Sequence, residues 1–250
     1  MAQKETSRAP SLRLASAARV GSPPPGVPRP SVRTWDNLTP LPRSFYEHPP
    51  ELVSPRLLGK LLAHRIGRKI LVGRIVEVEA YLGPHNNPPD PAAHTYRGPT
   101  PRNQVIFGPP GHAYVYSIYG QYYCLNVSCE PEGLAGCILI RTLEPVAGLE
   151  EMARNRGLAS QAKPSLLSSG PSRLCQAFGL TRAQHNALDL TSRSSPLKIL
   201  DDGFPAPEPH TELHISPRIG IRHAVDWPLR FSFSGHPCVS GPRRNNGLKK

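Results

Sequence analysis

The chain has 250 residues, enough for one domain of roughly 200 residues with a hydrophobic core, and its formal net charge is +12. No apolar run reaches the roughly 18 residues of a membrane span, and no hydrophobic signal segment opens the sequence, so we expect a soluble intracellular protein. The charge favours a polyanionic partner such as nucleic acid, because basic side chains near phosphates release condensed counterions, although an anionic membrane surface or solubility alone would also explain it.

Residues 1–43 differ in composition from the rest of the chain. They hold eight prolines, seven basic and two acidic residues, so their net charge is +5. Such a segment buries too little apolar surface to offset the entropy of ordering. We therefore predict a disordered tail, which is a solvated extension or helps to hold DNA. A domain over residues 44–242 and a basic C-terminal tail over residues 243–250 follow.

The domain is predicted to begin with a helix that Ser54 caps and Pro55 opens. Its apolar face would be formed by Leu57, Leu58, Leu61 and Leu62. The alternating residues from Ile70 to Tyr81 then predict a strand. Because successive side chains of a strand point to opposite faces, one face would carry Val72, Val76 and Val78. The other face would carry Glu77, Glu79 and Tyr81.

Glu77 and Glu79 are the first candidates for chemistry. An acidic residue on the polar face of a strand is most often merely solvated. Here the two carboxylates project the same way, with Tyr81 beside them and His94 a short loop later. Their repulsion, together with an adjacent apolar wall, would raise the pKa of one carboxyl group, which suits a general base.

Tyrosines concentrate in a predicted β-hairpin from Ala113 to Ser128, which turns at Tyr119-Gly120 and holds five of the eight tyrosines of the chain. Tyrosine is a good strand former, and packing against a core would explain most of these rings. Tyr119 is different, because a ring at the turn has little core to contact. An exposed aromatic ring there suits stacking against bases or insertion between them.

Two registers of this hairpin are compatible with the sequence. A two-residue loop would pair Tyr116 with Tyr123 and put Asn126 on the opposite face. A three-residue loop over residues 118–120 would pair Tyr116 with Tyr122 and put Tyr114, Tyr116 and Asn126 on one face. We favour the second register, because it gives the glycine of the turn the left-handed conformation that such loops prefer.

The other predicted elements mix strands and helices without a regular βαβ rhythm. They are a proline-rich loop over residues 84–101, a strand over 136–143, helices over 146–156 and from 171 to Gly179, and a strand over 229–234. We therefore expect an α+β fold.

Seven short motifs occur in order along the chain. They are Gly73-Arg-Ile-Val-Glu-Val-Glu-Ala-Tyr-Leu-Gly-Pro84, Ala92-Ala-His94, Thr100-Pro-Arg-Asn103, Tyr114-Val-Tyr-Ser-Ile-Tyr-Gly120 with Asn126, Leu139-Ile-Arg-Thr-Leu-Glu-Pro145, Gly170-Pro-Ser-Arg-Leu-Cys-Gln-Ala177 and Arg218-Ile-Gly220. On these motifs the sequence resembles the alkyladenine (3-methyladenine) DNA glycosylase family. The likeness extends from about residue 41 to residue 240, and the order of the motifs makes it specific. The loop before His94 carries extra residues, 86–91.

The resemblance implies a role for each matching position. Glu79 would be the general base that activates a water, and Arg141 and the backbone carbonyl of Ile219 would help to hold that water. The extruded base would be sandwiched and recognised by Tyr81, His94 and Tyr116. Asn126 would crowd the pocket against the exocyclic amino group of guanine.

Contacts with DNA are implied in the same way. Tyr119 would fill the gap that the extruded base leaves in the duplex. Further DNA contacts would come from Arg102, Tyr114 and Arg173. The implied fold is one mixed α/β domain, in which an antiparallel-rich curved sheet carries a protruding, DNA-inserting hairpin.

The implied activity is that of a monofunctional DNA glycosylase of base excision repair. Its partner would be double-stranded DNA with an alkylated or deaminated purine, and it would act as a monomer, without a membrane, in a bacterial cytoplasm or a eukaryotic nucleus. A lyase would need an amine nucleophile, and no lysine lies among the motifs. We expect neither a metal nor another cofactor.

Two other classes of protein remain as alternatives. One is a nucleic-acid-binding protein without catalysis. The other is a metal-dependent hydrolase that uses Glu77, Glu79, His94 and His112, although their spacing matches no ligand motif that we know. The five cysteines are odd in number and form no C-x-x-C pair. We interpret them as half-buried thiols in a reducing compartment.

Overall fold

One curled sheet dominates the computed structural model, which describes residues 35–241. Within these residues it contains eight strands: β1 Leu61–Ile66, β2 Lys69–Tyr81, β3 Ala113–Ile118, β4 Tyr122–Cys129, β5 Gly136–Ala147, β6 Leu197–Leu200, β7 Leu213–Ser216 and β8 Arg230–Phe233. The strand order is β3-β4-β5-β2-β1-β6, and β8 joins β7 to β2. Every strand pair is antiparallel, so the predicted α+β fold with an antiparallel-rich curved sheet is confirmed.

Short helices cover the sheet. In the described part of the chain they are α1 Pro50–Leu57, α2 Gln104–Phe107, α3 Leu149–Asn155, α4 Pro164–Leu167, α5 Pro171–Phe178 and α6 Arg182–His185, with 3-10 turns at Trp35–Asn37 and Arg43–Phe45. Helix α5 buries four side chains in the core and ends at Gly179 with φ 65°, which confirms its predicted terminus. No helix within residues 35–241 is long and apolar enough to cross a membrane.

The prediction for the first helix is wrong in its bounds. Helix α1 begins at Pro50, so Pro55 lies inside it, and the helix ends at Leu57. Leu61 and Leu62 belong to strand β1 and contact two different core clusters. The leucine spacing fits one face of a helix, but it fits a strand buried on both faces equally well.

Strand β2 has the predicted extent, but a β-bulge between Ile75 and Val78 changes its alternation. Leu71 and Ile75 pack in the main core before the bulge, and Val78 packs there after it. Val72 packs in a second cluster with Trp35. Val72 and Val78 therefore lie on opposite faces, and the prediction that they share one face is wrong.

The bulge also marks a change of neighbours along β2. Residues 69–74 pair with β1, whereas residues 77–79 pair with β8. Strand β5 pairs with β2 along the other edge on both sides of the bulge. The segment after the bulge is thus held between β5 and β8.

The hairpin β3–β4 has a register that neither prediction gave. Tyr116 pairs with Cys124, and the three-residue loop is shifted by one residue to 119–121. Tyr119 and Gly120 have positive φ values of 49° and 74°. Tyr114 pairs directly with Asn126, so the predicted shared face of Tyr114, Tyr116 and Asn126 is confirmed.

Two other bounds differ from the predictions. Strand β5 continues through Val146 and Ala147, because it pairs with the start of β2 there, and helix α3 begins only at Leu149 after Gly148 with φ 77°. Residues 35–43 contact the domain: Trp35 and Leu41 are buried, and Arg43 pairs with Asp189. The rest of the tail predicted over residues 1–43, which is residues 1–34, and the tail predicted over residues 243–250 lie outside the described residues.

Candidate active site

A pocket of about 440 Å³ opens between the end of β2, the hairpin β3–β4 and the segment after β7. Nine of the eleven predicted site residues line it: Tyr81, His94, Arg102, Tyr114, Tyr116, Tyr119, Asn126, Arg141 and Ile219. The extra residues in the loop before His94 therefore do not displace His94 from the pocket. Glu79 lies beneath the pocket wall with none of its surface exposed. Arg173 is exposed on helix α5 and is not part of the wall.

Glu79 contacts three groups whose residues all line the pocket. Its Oε1 accepts a hydrogen bond from the backbone N–H of Ile219 at 2.7 Å and lies 3.0 Å from Nη1 of Arg141. Its Oε2 accepts a hydrogen bond from the Tyr81 hydroxyl at 3.0 Å. Burial and the charge of Glu79 raise the pKa of Tyr81, so that hydroxyl keeps its proton and remains a donor. Ile219 thus contacts the carboxylate through its N–H, a contact that the sequence did not predict.

Glu77 shares Arg141 with Glu79 and is also fully buried. It accepts hydrogen bonds from Arg141 Nε at 3.0 Å, Thr142 Oγ1 at 2.7 Å and Arg230 Nη1 at 2.7 Å, and from the backbone N–H and hydroxyl of Ser240. Burial alone would raise the pKa of Glu77, but the Arg141 charge and the hydrogen bonds from Ser240 and Thr142 lower it. The expected repulsion between the two carboxylates is therefore offset by the guanidinium between them, and the pKa of Glu77 moves down.

Aromatic rings form one side of the pocket. The His94 ring lies 4.6 Å from the Tyr116 ring, edge to face, and the Tyr114 and Tyr116 rings stack at 5.4 Å. Desolvation and the Arg102 charge lower the pKa of His94, so this ring is uncharged at neutral pH. The guanidinium of Arg102 lies over the Tyr116 ring, 5.6 Å from its centroid. This side of the pocket presents uncharged aromatic surface with a cation at its rim.

Tyr114, for which the resemblance implies a contact with DNA, is nearly buried in the structure. Only 1% of its surface is accessible, and its hydroxyl bonds to Nδ1 of His94 at 2.9 Å. Burial raises the pKa of Tyr114 to about 12. Tyr114 therefore helps to hold the His94 ring through its hydroxyl group. Asn126 is likewise buried, and its amide donates a hydrogen bond to the Tyr114 carbonyl at 3.1 Å.

Two exposed groups lie near the pocket mouth. Tyr119 at the hairpin tip has 90% of its surface exposed, as the sequence predicted for a ring at the turn. Arg102 is also exposed and lines the pocket. Both side chains can reach a molecule that covers the mouth.

Three residues without a predicted role hold the pocket together. Asn103 is buried, and its amide donates hydrogen bonds to the carbonyls of His94 and Gly98 at 2.8 Å and 3.1 Å. Asp90 and Arg218 form a fully buried ion pair beneath Tyr81. Asn103 and Arg218 belong to the quoted motifs, but their spacing in sequence does not reveal what they contact.

The four residues of the metal-hydrolase alternative are not brought together. His112 contacts the Pro109 carbonyl and the Arg43 side chain, away from the pocket. Within residues 35–241 no group of three or more His, Cys, Asp or Glu is arranged to hold a metal ion. The five cysteines are free thiols, and all of them are buried, more deeply than the sequence suggested.

Comparison with known proteins identifies a family. The profile of the family described as Methylpurine-DNA glycosylase (MPG) matches residues 44–237. A protein of Koribacter versatilis is 52% identical over 220 residues, which are 87% of this chain and 99% of that protein. One from Burkholderia lata is 48% identical over 202 residues, covering 81% and 91% of the two chains. One from Methanoculleus marisnigri is 45% identical over 203 residues, covering 80% and 98%.

All three relatives carry the name "Putative 3-methyladenine DNA glycosylase". The family profile covers well over half of the chain, including the pocket and the residues that surround Glu79. The chain therefore belongs to the methylpurine-DNA glycosylase family and is a DNA repair enzyme that hydrolyses N-glycosyl bonds.

Proposed function

We propose that this enzyme extrudes an alkylated or deaminated purine from duplex DNA and hydrolyses its N-glycosidic bond with a water that Glu79 activates. The observation that carries this proposal is the position of Glu79, buried directly behind Tyr81, Arg141 and Ile219, which all line the pocket. An abasic site would remain in the DNA. The purine would leave as the free base.

The contacts of Glu79 hold its carboxylate in a fixed position behind the pocket wall. A carboxylate has about four acceptor positions, and the three partners of Glu79 occupy at most three of them. We propose that a remaining position accepts a hydrogen bond from the attacking water. The transition state of glycosidic cleavage resembles an oxocarbenium ion, so the same negative charge would also stabilise the sugar.

The pocket suits a flat, extruded base. Tyr81, His94 and Tyr116 offer ring surfaces, and electron-rich rings attract a purine that alkylation has made cationic. Asn126 borders the pocket, where its side chain would crowd the amino group of guanine. A base inside a duplex cannot reach this pocket, so the enzyme must extrude it at a cost of a few kcal/mol. Insertion of the exposed Tyr119 would offset part of that cost.

The pocket also favours a monofunctional reaction. A lyase forms a Schiff base through an amine, and none of the described residues that line the pocket is a lysine. Water activated by Glu79 is then the nucleophile. We further propose that the enzyme binds as a monomer and that Arg102 and Arg173, both exposed, contact phosphates of the duplex.

The test is a set of duplexes that each contain one modified purine: 3-methyladenine, 7-methylguanine, hypoxanthine or ethenoadenine. We expect release of at least one free base, with strand breakage only after alkali treatment. Activity should persist in excess EDTA. Breakage without alkali, or trapping of an enzyme–DNA adduct by borohydride, would show lyase chemistry. Loss of activity in EDTA that one divalent metal restores would favour a metal-dependent hydrolase.

A further inference from the structure

A buried arginine lies beneath the base-recognising end of β2. Both terminal nitrogens of Arg218 contact the Asp90 carboxylate, at 2.5 Å and 2.9 Å, and neither side chain is exposed. Nη1 also donates a hydrogen bond to the Ala80 carbonyl at 3.0 Å. The guanidinium lies under the Tyr81 ring, 4.6 Å from its centroid. Arg218 thus contacts strand β2 at Ala80 and Tyr81, next to the Glu79–Tyr81 hydrogen bond.

Asp90 connects this arginine to a second segment. Its carboxylate accepts hydrogen bonds from the backbone N–H of Leu82 at 3.2 Å and of Ala92 at 3.0 Å. Leu82 directly follows Tyr81 in the chain, and Ala92 lies two residues before His94. Arg218 itself directly precedes Ile219, whose N–H donates to Glu79. The pair therefore joins the three segments that carry Tyr81, His94 and Ile219.

We propose that Asp90 and Arg218 are positioning residues for the glycosidic cleavage. The ion pair fixes the Ile219 N–H and the Tyr81 hydroxyl against Glu79, and it holds the His94 segment at the same pocket. It does not touch the substrate. This inference rests on the proposed role of Glu79.

Stability alone is a weak reason to bury such a pair, because desolvation of two charges opposes their attraction. The Nε of Arg218 is buried without a hydrogen-bond partner among residues 35–241, which adds a further cost. The geometry of the guanidinium explains the presence of an arginine here better than stability does. A planar guanidinium can bond a carboxylate with two nitrogens and stack on a ring at the same time, and an ammonium group cannot.

The chain offers a matched control. Arg74 bonds both oxygens of Asp202 at 3.0 Å and 2.8 Å, donates to the Gly59 carbonyl at 2.6 Å, and lies 4.1 Å from the centroid of the Phe204 ring. Both side chains of this pair are nearly buried. Each cluster thus consists of an arginine, a carboxylate, a backbone carbonyl and an aromatic ring. None of the residues of the Arg74 cluster lines the pocket.

The experiment compares Arg218→Lys with Arg74→Lys. For each variant we would measure the melting temperature, the dissociation constant for lesion DNA, and the rate of base release in single turnover at saturating enzyme, well below the melting temperature. We expect both variants to melt at lower temperature. Only Arg218→Lys should release base more slowly, by roughly 10- to 100-fold, since a misplacement of about 1 Å at a reacting group costs on the order of 10²-fold. Its dissociation constant should change little.

A wild-type rate for Arg218→Lys, or an equal loss of rate in both variants, would overturn the inference. If Arg218→Lys does not fold, Asp90→Asn gives the same test, because it keeps an oxygen acceptor for a backbone N–H and removes the charge. Glu79→Gln is measured alongside. Normal release by Glu79→Gln would overturn the proposed function, whereas an inactive Glu79→Gln with a fully active Arg218→Lys would overturn the positioning role alone.

Discussion

The two halves of strand β2, before and after its bulge, are both buried but differ in what their charged side chains contact. In the first half, residues 69–75, Arg74 forms an ion pair with Asp202, and neither residue lines the pocket. In the second half, residues 77–81, Glu79 bonds to groups that line a pocket. The first half pairs with β1 and the second with β8.

This difference shows that burial of a charge does not by itself mark an active site. Glu77 is as buried as Glu79, yet five donors from four residues surround it. Glu79 has three partners, and all of them belong to residues that line the pocket. We therefore expect the reactive carboxylate to be the one whose partners are fewer and lie beside a space that a substrate can enter.

The largest expected difference between the two halves is the loss of base release in Glu79→Gln, a substitution in the second half. We expect base release in single turnover to fall by roughly 10²–10⁴-fold, which is the usual contribution of a general base. Binding of lesion DNA should remain close to that of the wild type, because the amide fills the same space. Glu150→Gln, an exposed position on helix α3, is the control and should keep full activity. Near-normal release by Glu79→Gln would show that the two halves do not differ in their chemical role.

A substitution in the first half should have the opposite consequence, because it should lower stability and leave the rate of base release unchanged. Leu71 is fully buried in the main core, so Leu71→Ala should lower the free energy of unfolding by about 2–5 kcal/mol. The rate of base release by the folded protein should not change. Urea unfolding and single-turnover kinetics at low temperature measure the two quantities separately. A loss of rate in the folded variant would show that the first half also shapes the pocket.

Acid should lower the stability of strand β1, which pairs with the first half of β2. His64 on β1 pairs with Leu71, and its ring lies within hydrogen-bond distance of the Phe178 carbonyl and of His185. Burial lowers the pKa of His64 to about 4. The unfolded chain therefore binds this proton first as the pH falls. Above about pH 6.5, His64 does not reduce the free energy of unfolding. Its protonation in the unfolded chain decreases that free energy towards pH 4, by about 3 kcal/mol.

The measurement is the free energy of unfolding between pH 7 and pH 4 for the wild type and for His64→Gln. The variant cannot take up this proton, so its stability should depend less on pH across that window. Burial lowers the pKa of His185 as well, so some dependence should remain. Identical slopes for the two proteins would exclude His64 as a source of the acid sensitivity.

The extent of β2 could be predicted from its alternation, but its bulge could not. The residues from Ile75 to Val78 fit an uninterrupted strand equally well. The bulge is set by pairing with β5 and β8, and β8 lies about 150 residues further along the chain. The same limit applies to Leu61 and Leu62, because apolar residues at this spacing suit two kinds of element.

Most of the pocket could be predicted because the family motifs name its residues one by one. Tyr81, His94, Tyr116 and Asn126 all line the pocket as expected. The ion pair of Asp90 and Arg218 could not be predicted, since 128 residues separate the partners and no local pattern links them. The buried position of Tyr114 was also missed, because a strand pattern shows which face a ring is on but not what covers it.

Tyr119→Ser extends the comparison to the hairpin and has the smallest expected effect. With 90% of its surface exposed, the Tyr119 side chain contributes little to the core, so the melting temperature should barely change. If the ring fills the vacated stack, its loss should make the extruded state less populated by about 1–3 kcal/mol. The penalty should be larger for a stably paired lesion than for a mismatched one, which is extruded more easily. Single-turnover release from paired and mismatched duplexes measures this difference, and an equal loss on both substrates with a large drop in melting temperature would show that Tyr119 is structural.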